Sequence, residues 1–381
     1  MGNPGLVRQE DLPGLQYLRG LAALWVVIFH ISMQASAAHA GKTIHNLCSG
    51  VDIFFVISGF IMVYSTRSGQ KNSAGQFLYK RFVRIAPLYW ALTLFMIALL
   101  MVAPGLVKSS SLAASHAAAS LAFVAWLNPA TRVTYAPLVT PGWTLNLEVA
   151  FYLCFAFGIM FGRGPRSTVA LATALPLIAG LVGSFLDLRG VAGFYTNSMV
   201  LEFAFGMVIG YQFLARPIAS RPSVAWSLLT ATLGILLCMP RFETIPRGIL
   251  FGLPAAMVVF AGTLLRQDRV PFLHRLGDMS YSLYLSHFFV LSAVAQAARR
   301  LGLLGPQSNM ILFYPAAFCL SLLVGYFVWK WIEVPVGRYF ATHGSWSDRQ
   351  ARGILRSGPF ATRLARRRFA ASSRLNERSV G

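Results

Sequence analysis

The stretch YLRGLAALWVVIFH, from Tyr17 to His30, decides the fold because it is almost wholly apolar yet contains Arg19 and ends at a histidine. A helix here is able to enter a membrane. His30 follows Arg19 by eleven residues, which returns a helix to within about 20° of its starting face. Both side chains therefore share one face, roughly 16 Å apart along the axis. Because ionisable side chains are costly to bury in a membrane, this pair predicts a functional site.

Composition places the whole chain in the membrane class. Its 381 residues are 56% hydrophobic and 12% charged, with a mean hydropathy of +0.60, which excludes an ordinary soluble protein of this size. The sequence predicts an all-α polytopic membrane protein with about ten transmembrane helices. Their apolar windows lie at about 15–36, 50–66, 86–103, 142–162, 168–187, 196–215, 224–239, 247–265, 280–297 and 311–332.

The distribution of basic residues predicts the orientation. Most lysines and arginines fall on the side of the membrane that holds the N-terminus, so both termini are expected in the cytoplasm. The net charge of +21 then reflects topology and an arginine-rich tail, and it requires no nucleic acid. We expect a transmembrane domain over 1–335 and a basic cytoplasmic tail over 336–381, disordered or lying on anionic lipid.

Two alternative interpretations concern the N-terminal segment and the cysteines. The segment ASAAHA after the first apolar run resembles a signal-peptide cleavage site, but Glu10 and Asp11 are unusual in such a leader, so we favour a retained helix. The four cysteines show no CxxC pairing, so they predict neither a disulfide framework nor a zinc site. No metal is expected.

Carboxylates in three other apolar spans are expected at the depth of His30. Asp52 begins the second span, Glu148 lies one turn into the fourth and Glu202 lies near the outer end of the sixth. In the predicted topology all three lie in the outer half of the membrane, where the first helix carries His30. A carboxylate near a neutral imidazole orients the ring and makes it a stronger general base.

Polar residues in two further segments have both a functional and a structural interpretation. YKRFVRIAPLYW places Arg81 and Arg84 on one helical face just before the third span. Such a pair is suited to phosphate, although cytoplasmic flanking charge also explains it. In LGDMSYSLYLSHFFV, Tyr281, Tyr284 and His287 form a polar stripe that lines a cavity or bonds to neighbouring helices. This stripe assigns no role to His287.

Taken in order, these segments resemble the integral-membrane acyltransferase-3 family. The resemblance covers about residues 15–335 and rests on Arg19, ten intervening residues and His30, followed by GVDIFFVISGF, RFVRIAPLYW, PGWTLNLEVAFY and LGDMSYSLYLSH. The chain is most similar to the branch that O-acetylates bacterial exopolysaccharides.

The resemblance implies a membrane O-acyltransferase in the bacterial inner membrane. Acyl-CoA, with acetyl-CoA expected, would donate from the cytoplasm to a sugar hydroxyl of an exopolysaccharide or its lipid-linked precursor. His30 would be catalytic, and Arg19, Arg81 and Arg84 would lie at the CoA end. We favour His30 as general base, oriented by Glu148 or Asp52, over His30 as a transient acyl carrier. Membrane lipids and polysaccharide assembly proteins are the other expected partners.

Two rival functions remain open at this stage. In a transporter of a polysaccharide or lipid precursor, His30, Asp52 and Glu148 would form a proton relay. In an inactive scaffold of an export complex, His30 would be dispensable for acylation.

Overall fold

The protein consists of α-helices in every part that the structure describes. This computed structural model describes residues 12–38, 42–65, 73–103, 110–186, 188–215, 221–240, 244–265, 270–305 and 310–343. Its helices are α1 Pro13–Ala37, α2 Gly50–Ser65, α3 Ala74–Val102, α4 Ala114–Leu121, α5 Trp143–Phe161, α6 Pro165–Phe185, α7 Gly190–Tyr195, α8 Val200–Ala215, α9 Pro222–Cys238, α10 Arg247–Leu250, α11 Gly252–Leu264, α12 Pro271–Asp278, α13 Ser280–Arg300, α14 Met310–Val328 and α15 Val334–His343. The predicted all-α class is confirmed for these residues, whose β pairing is one isolated bridge.

Eight segments of the described chain are helices long and apolar enough to cross a membrane. They are Pro13–Ala37, His45–Ser65, Ala74–Val102, Thr140–Phe161, Pro165–Phe185, Gly190–Ala215, Arg247–Leu264 and Leu312–Phe340. The seventh and ninth predicted spans are also helical, but α9 has 17 residues and α13 is rich in polar side chains. The chain is therefore a multi-pass membrane protein, while the count of ten spans and the orientation of the termini stay predictions.

The third helix begins earlier than the sequence predicts. α3 begins at Ala74 instead of near residue 86, and Ser73 and Gln76 close its first turn with a capping box. Lys80, Arg81 and Arg84 therefore lie within the helix, before the apolar window that marks the predicted third span. The apolar window missed this start because the first three turns of α3 carry polar and basic side chains on part of their surface.

The first helix lies between two hydrophobic clusters. Leu15, Leu18, Ala22 and Trp25 of α1 pack in one cluster, mainly with α2, α9 and α11, whereas Ala23, Val27, Ile31 and Ala35 pack in the other, with α13 and α14. Each set repeats at three or four residues, the spacing of one helical face. Because lipid tails are as apolar as these side chains, close packing is what holds the helices together. α1 is thus a central helix of the bundle.

Glycines allow the closest helix contact of the bundle interior. A Cβ on Gly59 of α2 would overlap the carbonyl oxygen of Phe203, and one on Gly206 of α8 would overlap that of Val56. The two backbones touch at positions where any other residue would force them apart. This contact fixes α2 beside α8 and sets the position of Asp52 and Ser58 on α2.

Residues 110–142 form a compact connection between α3 and α5. The Tyr89 hydroxyl donates to the carbonyl oxygen of Ser120 at 3.0 Å, and the Leu138 amide donates to the Ser120 hydroxyl at 3.0 Å. The buried ring of His116 bonds to the carbonyl oxygen of Ala136 at 2.9 Å. These bonds hold the start of α5, which carries Glu148, against α3.

Residues from Lys330 onward form a separate unit. Its described part contains α15, so the predicted boundary between residues 335 and 336 falls inside a helix. The rest of the predicted basic tail, 344–381, lies outside the described residues.

Candidate functional site

The half-buried His30 bonds to its own helix and to a second histidine. Its Nδ1 lies 2.8 Å from the carbonyl oxygen of Val26, one turn earlier in α1. The same atom lies 3.3 Å from Nε2 of His287 in α13, with ring centroids 5.0 Å apart. The two histidines are 257 residues apart in the chain, so the bundle brings together two ionisable rings that no local pattern connects.

His287 is fully buried and belongs to a firmly anchored part of α13. Its Nδ1 lies 3.1 Å from the carbonyl oxygen of Leu283. The neighbouring Tyr284 donates to the carbonyl oxygen of Pro141 at 2.9 Å and contacts the Thr144 hydroxyl at 3.0 Å, which joins α13 to the start of α5. The sequence signal for His287 was its place on the polar stripe of YSLYLSH, but that pattern could not reveal its partner.

Glu148 lies on the face of α5 that contacts α2. Its carboxylate accepts hydrogen bonds from the hydroxyls of Ser58 at 3.2 Å and Tyr152 at 2.6 Å. The same carboxylate interacts electrostatically with Arg81 and with the Tyr284 hydroxyl. Among the described residues no hydrogen bond joins Glu148 to His30, so the position beside the imidazole where we expected Glu148 is held by His287.

Arg81 of α3 interacts electrostatically with this carboxylate. Its guanidinium donates to the Ser65 hydroxyl at the end of α2 and lies over the ring of Phe77, 5.6 Å from its centroid. Arg84, one turn further along α3, is exposed and interacts electrostatically with Arg81 and Tyr152. Two guanidinium groups therefore lie together near the start of α3, as the sequence predicted from their spacing.

These side chains form hydrogen-bonded groups that interact with one another electrostatically or through ring contacts. We use the name polar column for the following set, contributed by α1, α2, α3, α5 and α13: Ser65, Arg81, Tyr152, Glu148, Ser58, Thr144, Tyr284, His287 and His30. One end is cationic, the middle holds a carboxylate among hydroxyls, and the other end is an imidazole pair. This order suits a ligand with an anionic end and a reactive end, because guanidinium groups bind phosphates and an imidazole accepts a proton or an acyl group.

Arg19 of α1 is linked through Gln16 to the end of α12, just before α13. Its guanidinium donates to the side-chain oxygen of Gln16 at 3.0 Å, and Gln16 in turn donates to Asp278 at 2.6 Å. Tyr281, three residues after Asp278, donates to the carbonyl oxygen of Ile85 in α3 at 2.6 Å. The start of α13 is thus tied to α1 near Arg19 and to α3 near Arg84.

Asp52 belongs to a different group of buried charges. Asp52, Glu202 and Arg247 join α2, α8 and α10, and we call these three residues the ionic cluster. Arg247 donates to Asp52 at 2.7 Å, and both carboxylates are fully buried. No bond in the described chain connects Asp52 with His30, so its predicted role in orienting the ring has no contact to support it.

No cluster that could hold a metal ion is found in the part of the chain that the structure describes. There, no three side chains of histidine, cysteine, aspartate or glutamate are arranged to bind one.

Comparison with known proteins identifies one protein family, and its match covers most of the helical bundle. A family model described as an acyltransferase domain matches residues 12–330. The exopolysaccharide production protein ExoZ of Rhizobium meliloti (strain 1021) is 35% identical over 316 residues, covering 78% of this chain and 93% of that protein. The acyltransferase MdmB of Streptomyces mycarofaciens is 29% identical over 324 residues, covering 76% of this chain and 80% of that protein. No solved structure gives a significant match.

Proposed function

From the premise that the chain belongs to the acyltransferase-3 family, we propose that it moves an acetyl group from cytoplasmic acetyl-CoA to a sugar hydroxyl. The acceptor is an exopolysaccharide or its lipid-linked precursor, in keeping with the similarity to the exopolysaccharide production protein ExoZ. The protein lies in the bacterial inner membrane, with both termini in the cytoplasm. Polysaccharide assembly proteins are its proposed neighbours there.

The observation that carries this function is the polar column. Arg81 and Arg84 lie at its cationic end, near the end of α2 and the start of α3. The phosphates of CoA bind there through charge-assisted hydrogen bonds, with Arg19 completing the basic rim. The pantetheine arm follows the column past Glu148, which places the thioester next to His30.

His30 acts on the acceptor hydroxyl as a general base. It takes the hydroxyl proton as the sugar oxygen attacks the thioester carbonyl, so that a C–O bond forms and the C–S bond breaks. The departing CoA sulfur receives the proton that His30 removed, and the imidazole returns to its starting state. A transient acyl-histidine is the alternative, in which the same ring forms and loses the C–N bond to the acyl group.

The two predicted carboxylates have different places in this proposal. Glu148 interacts with Arg81 and accepts two hydrogen bonds, so it holds the cationic end of the column in position. Asp52 joins α2 to α10 through its pair with Arg247 and so stabilises the bundle. A direct role of either carboxylate in proton transfer is proposed from the sequence alone.

The test is transfer of radiolabelled acetyl from acetyl-CoA in inside-out membrane vesicles that contain the polysaccharide precursor. Vesicles with the protein should label carbohydrate, and Arg81→Gln should raise KM for acetyl-CoA about tenfold or more, since one charged hydrogen bond contributes about 1.5–3 kcal/mol. Arg166→Gln is the matched control, because Arg166 is an exposed arginine in the first turn of α6. Carbohydrate that remains unlabelled with fully expressed wild-type protein would refute the function.

A further inference from the structure

The hydrogen bonds of His287 fix where its own proton lies. Its Nδ1 faces the carbonyl oxygen of Leu283 at 3.1 Å, and a carbonyl oxygen only accepts. The proton of the neutral ring therefore lies on Nδ1. Nε2 then carries a lone pair, and this lone pair faces Nδ1 of His30 at 3.3 Å.

The same reasoning fixes the proton of His30. Its Nδ1 faces two acceptors, the Val26 carbonyl oxygen at 2.8 Å and Nε2 of His287. A proton on Nδ1 provides a hydrogen for both acceptors. Without that proton, the lone pair of Nδ1 would face the lone pairs of both acceptors. The neutral ring of His30 is then unprotonated at Nε2, the nitrogen left for chemistry.

Building on the proposed function, we propose that His287 is the positioning residue that holds His30 in the tautomer with a free Nε2. His287 touches no substrate and acts through His30. The Val26 carbonyl oxygen holds the proton on Nδ1 from within α1, as the Leu283 carbonyl oxygen does for His287 within α13. His287 adds an acceptor from another helix, and this acceptor also fixes the rotation of the ring.

The surroundings of His287 keep this acceptor in place. The side chain is fully buried, and the ring centroid of Tyr284 lies 6.1 Å from its own. Tyr284 is bonded to Pro141, and Tyr281 is bonded to Ile85. α13 is therefore anchored to the start of α5 and to α3 on either side of the column, and rotation of His287 away from His30 would leave its own buried nitrogens without partners.

The positioning role has a defined consequence for either mechanism. When Nε2 of His30 takes a proton from the sugar hydroxyl, the ring becomes an imidazolium and the Nδ1 hydrogen becomes a stronger donor. His287 Nε2 then accepts a charge-assisted bond that was weaker in the resting state. An interaction that strengthens as the reaction proceeds raises kcat and leaves substrate binding unchanged.

The kinetic test compares two replacements that differ in accepting ability. His287→Leu removes the acceptor, so kcat should fall about tenfold to a hundredfold while KM for acetyl-CoA stays within about twofold. His287→Gln places an oxygen near the position of Nε2 and should recover most of this loss. His45→Leu, at an exposed histidine, is the control and should behave as wild type. Equal kcat in all three variants, or a change confined to KM, would overturn the proposal.

A spectroscopic test does not depend on turnover. The imidazole nitrogens of the wild-type protein in lipid nanodiscs are observed by 15N NMR, and the His30 signals are those lost in His30→Asn. The expected spectrum has a protonated Nδ1 and an unprotonated Nε2 at His30. The opposite tautomer would overturn the role of His287, whereas absence of acetyl transfer by wild-type protein would refute the proposed function instead.

Discussion

The ionic cluster and the histidine pair are both buried groups that join distant segments, but their polar atoms are bonded in different ways. Arg247 and Asp52 pair at 2.7 Å, so the ionic cluster neutralises most of its charge internally. His30 and His287 share one hydrogen bond, and His30 stays half-buried with one nitrogen free of these bonds. The comparison teaches that an ionisable group paired with an opposite charge in the bundle indicates structure, whereas an imidazole with one ring nitrogen left for a substrate indicates chemistry.

Arg247→Ala should have the largest effect on the ionic cluster. Asp52 is fully buried, and removal of its partner leaves a buried carboxylate without its counter-ion. The free energy of unfolding should fall by about 3 kcal/mol, seen as a lower melting temperature of the purified protein in detergent.

Acetyl transfer per folded molecule should stay close to wild type in Arg247→Ala. Arg247→Lys is the control that keeps a positive charge and should lose less stability. A variant with unchanged melting temperature but abolished transfer would mean that the ionic cluster belongs to the catalytic machinery, and the contrast with the histidine pair would fail.

Glu202→Gln should have the smallest effect. The cluster holds two carboxylates and one guanidinium, and neither oxygen of Glu202 has a hydrogen-bond partner among the described side chains. The glutamine has nearly the same shape and removes the surplus negative charge, so stability should change by less than about 1 kcal/mol. The measurement is the same melting experiment, and a drop as large as that of Arg247→Ala would show that Glu202 carries a necessary charge.

Sequence patterns predicted local features well, and the structure shows the physical limit of that approach. The predicted apolar windows fall on helices because apolar runs must satisfy their backbone groups internally in lipid. Helical periodicity placed Arg81 beside Arg84 because residues three apart share a face. In contrast, hydropathy could not locate the start of α3 at Ala74, because the polar first turns of this helix give no apolar signal.

Partners across helices could not be predicted in the same way. Asp52 and Arg247 are 195 residues apart in the chain, and the choice between Arg247 and His30 as the neighbour of Asp52 depends on how α2 packs. That packing depends on the backbone contact of Gly59 with α8, which one sequence does not reveal. For the same reason the sequence led us to expect Glu148 or Asp52 beside His30, whereas in the bundle His287 lies there.

The measurement that tests the central claim most directly is the acetyl content of surface polysaccharide from cells lacking this protein. The cells are complemented with wild type or His30→Ala, with His45→Ala as control and membrane levels of each protein verified. We expect wild type and His45→Ala to restore acetylation and His30→Ala to leave it reduced by about a hundredfold or more, the share of a general base. Normal acetylation with His30→Ala would contradict the account, and loss of polymer with normal acetylation of the remainder would favour a transporter.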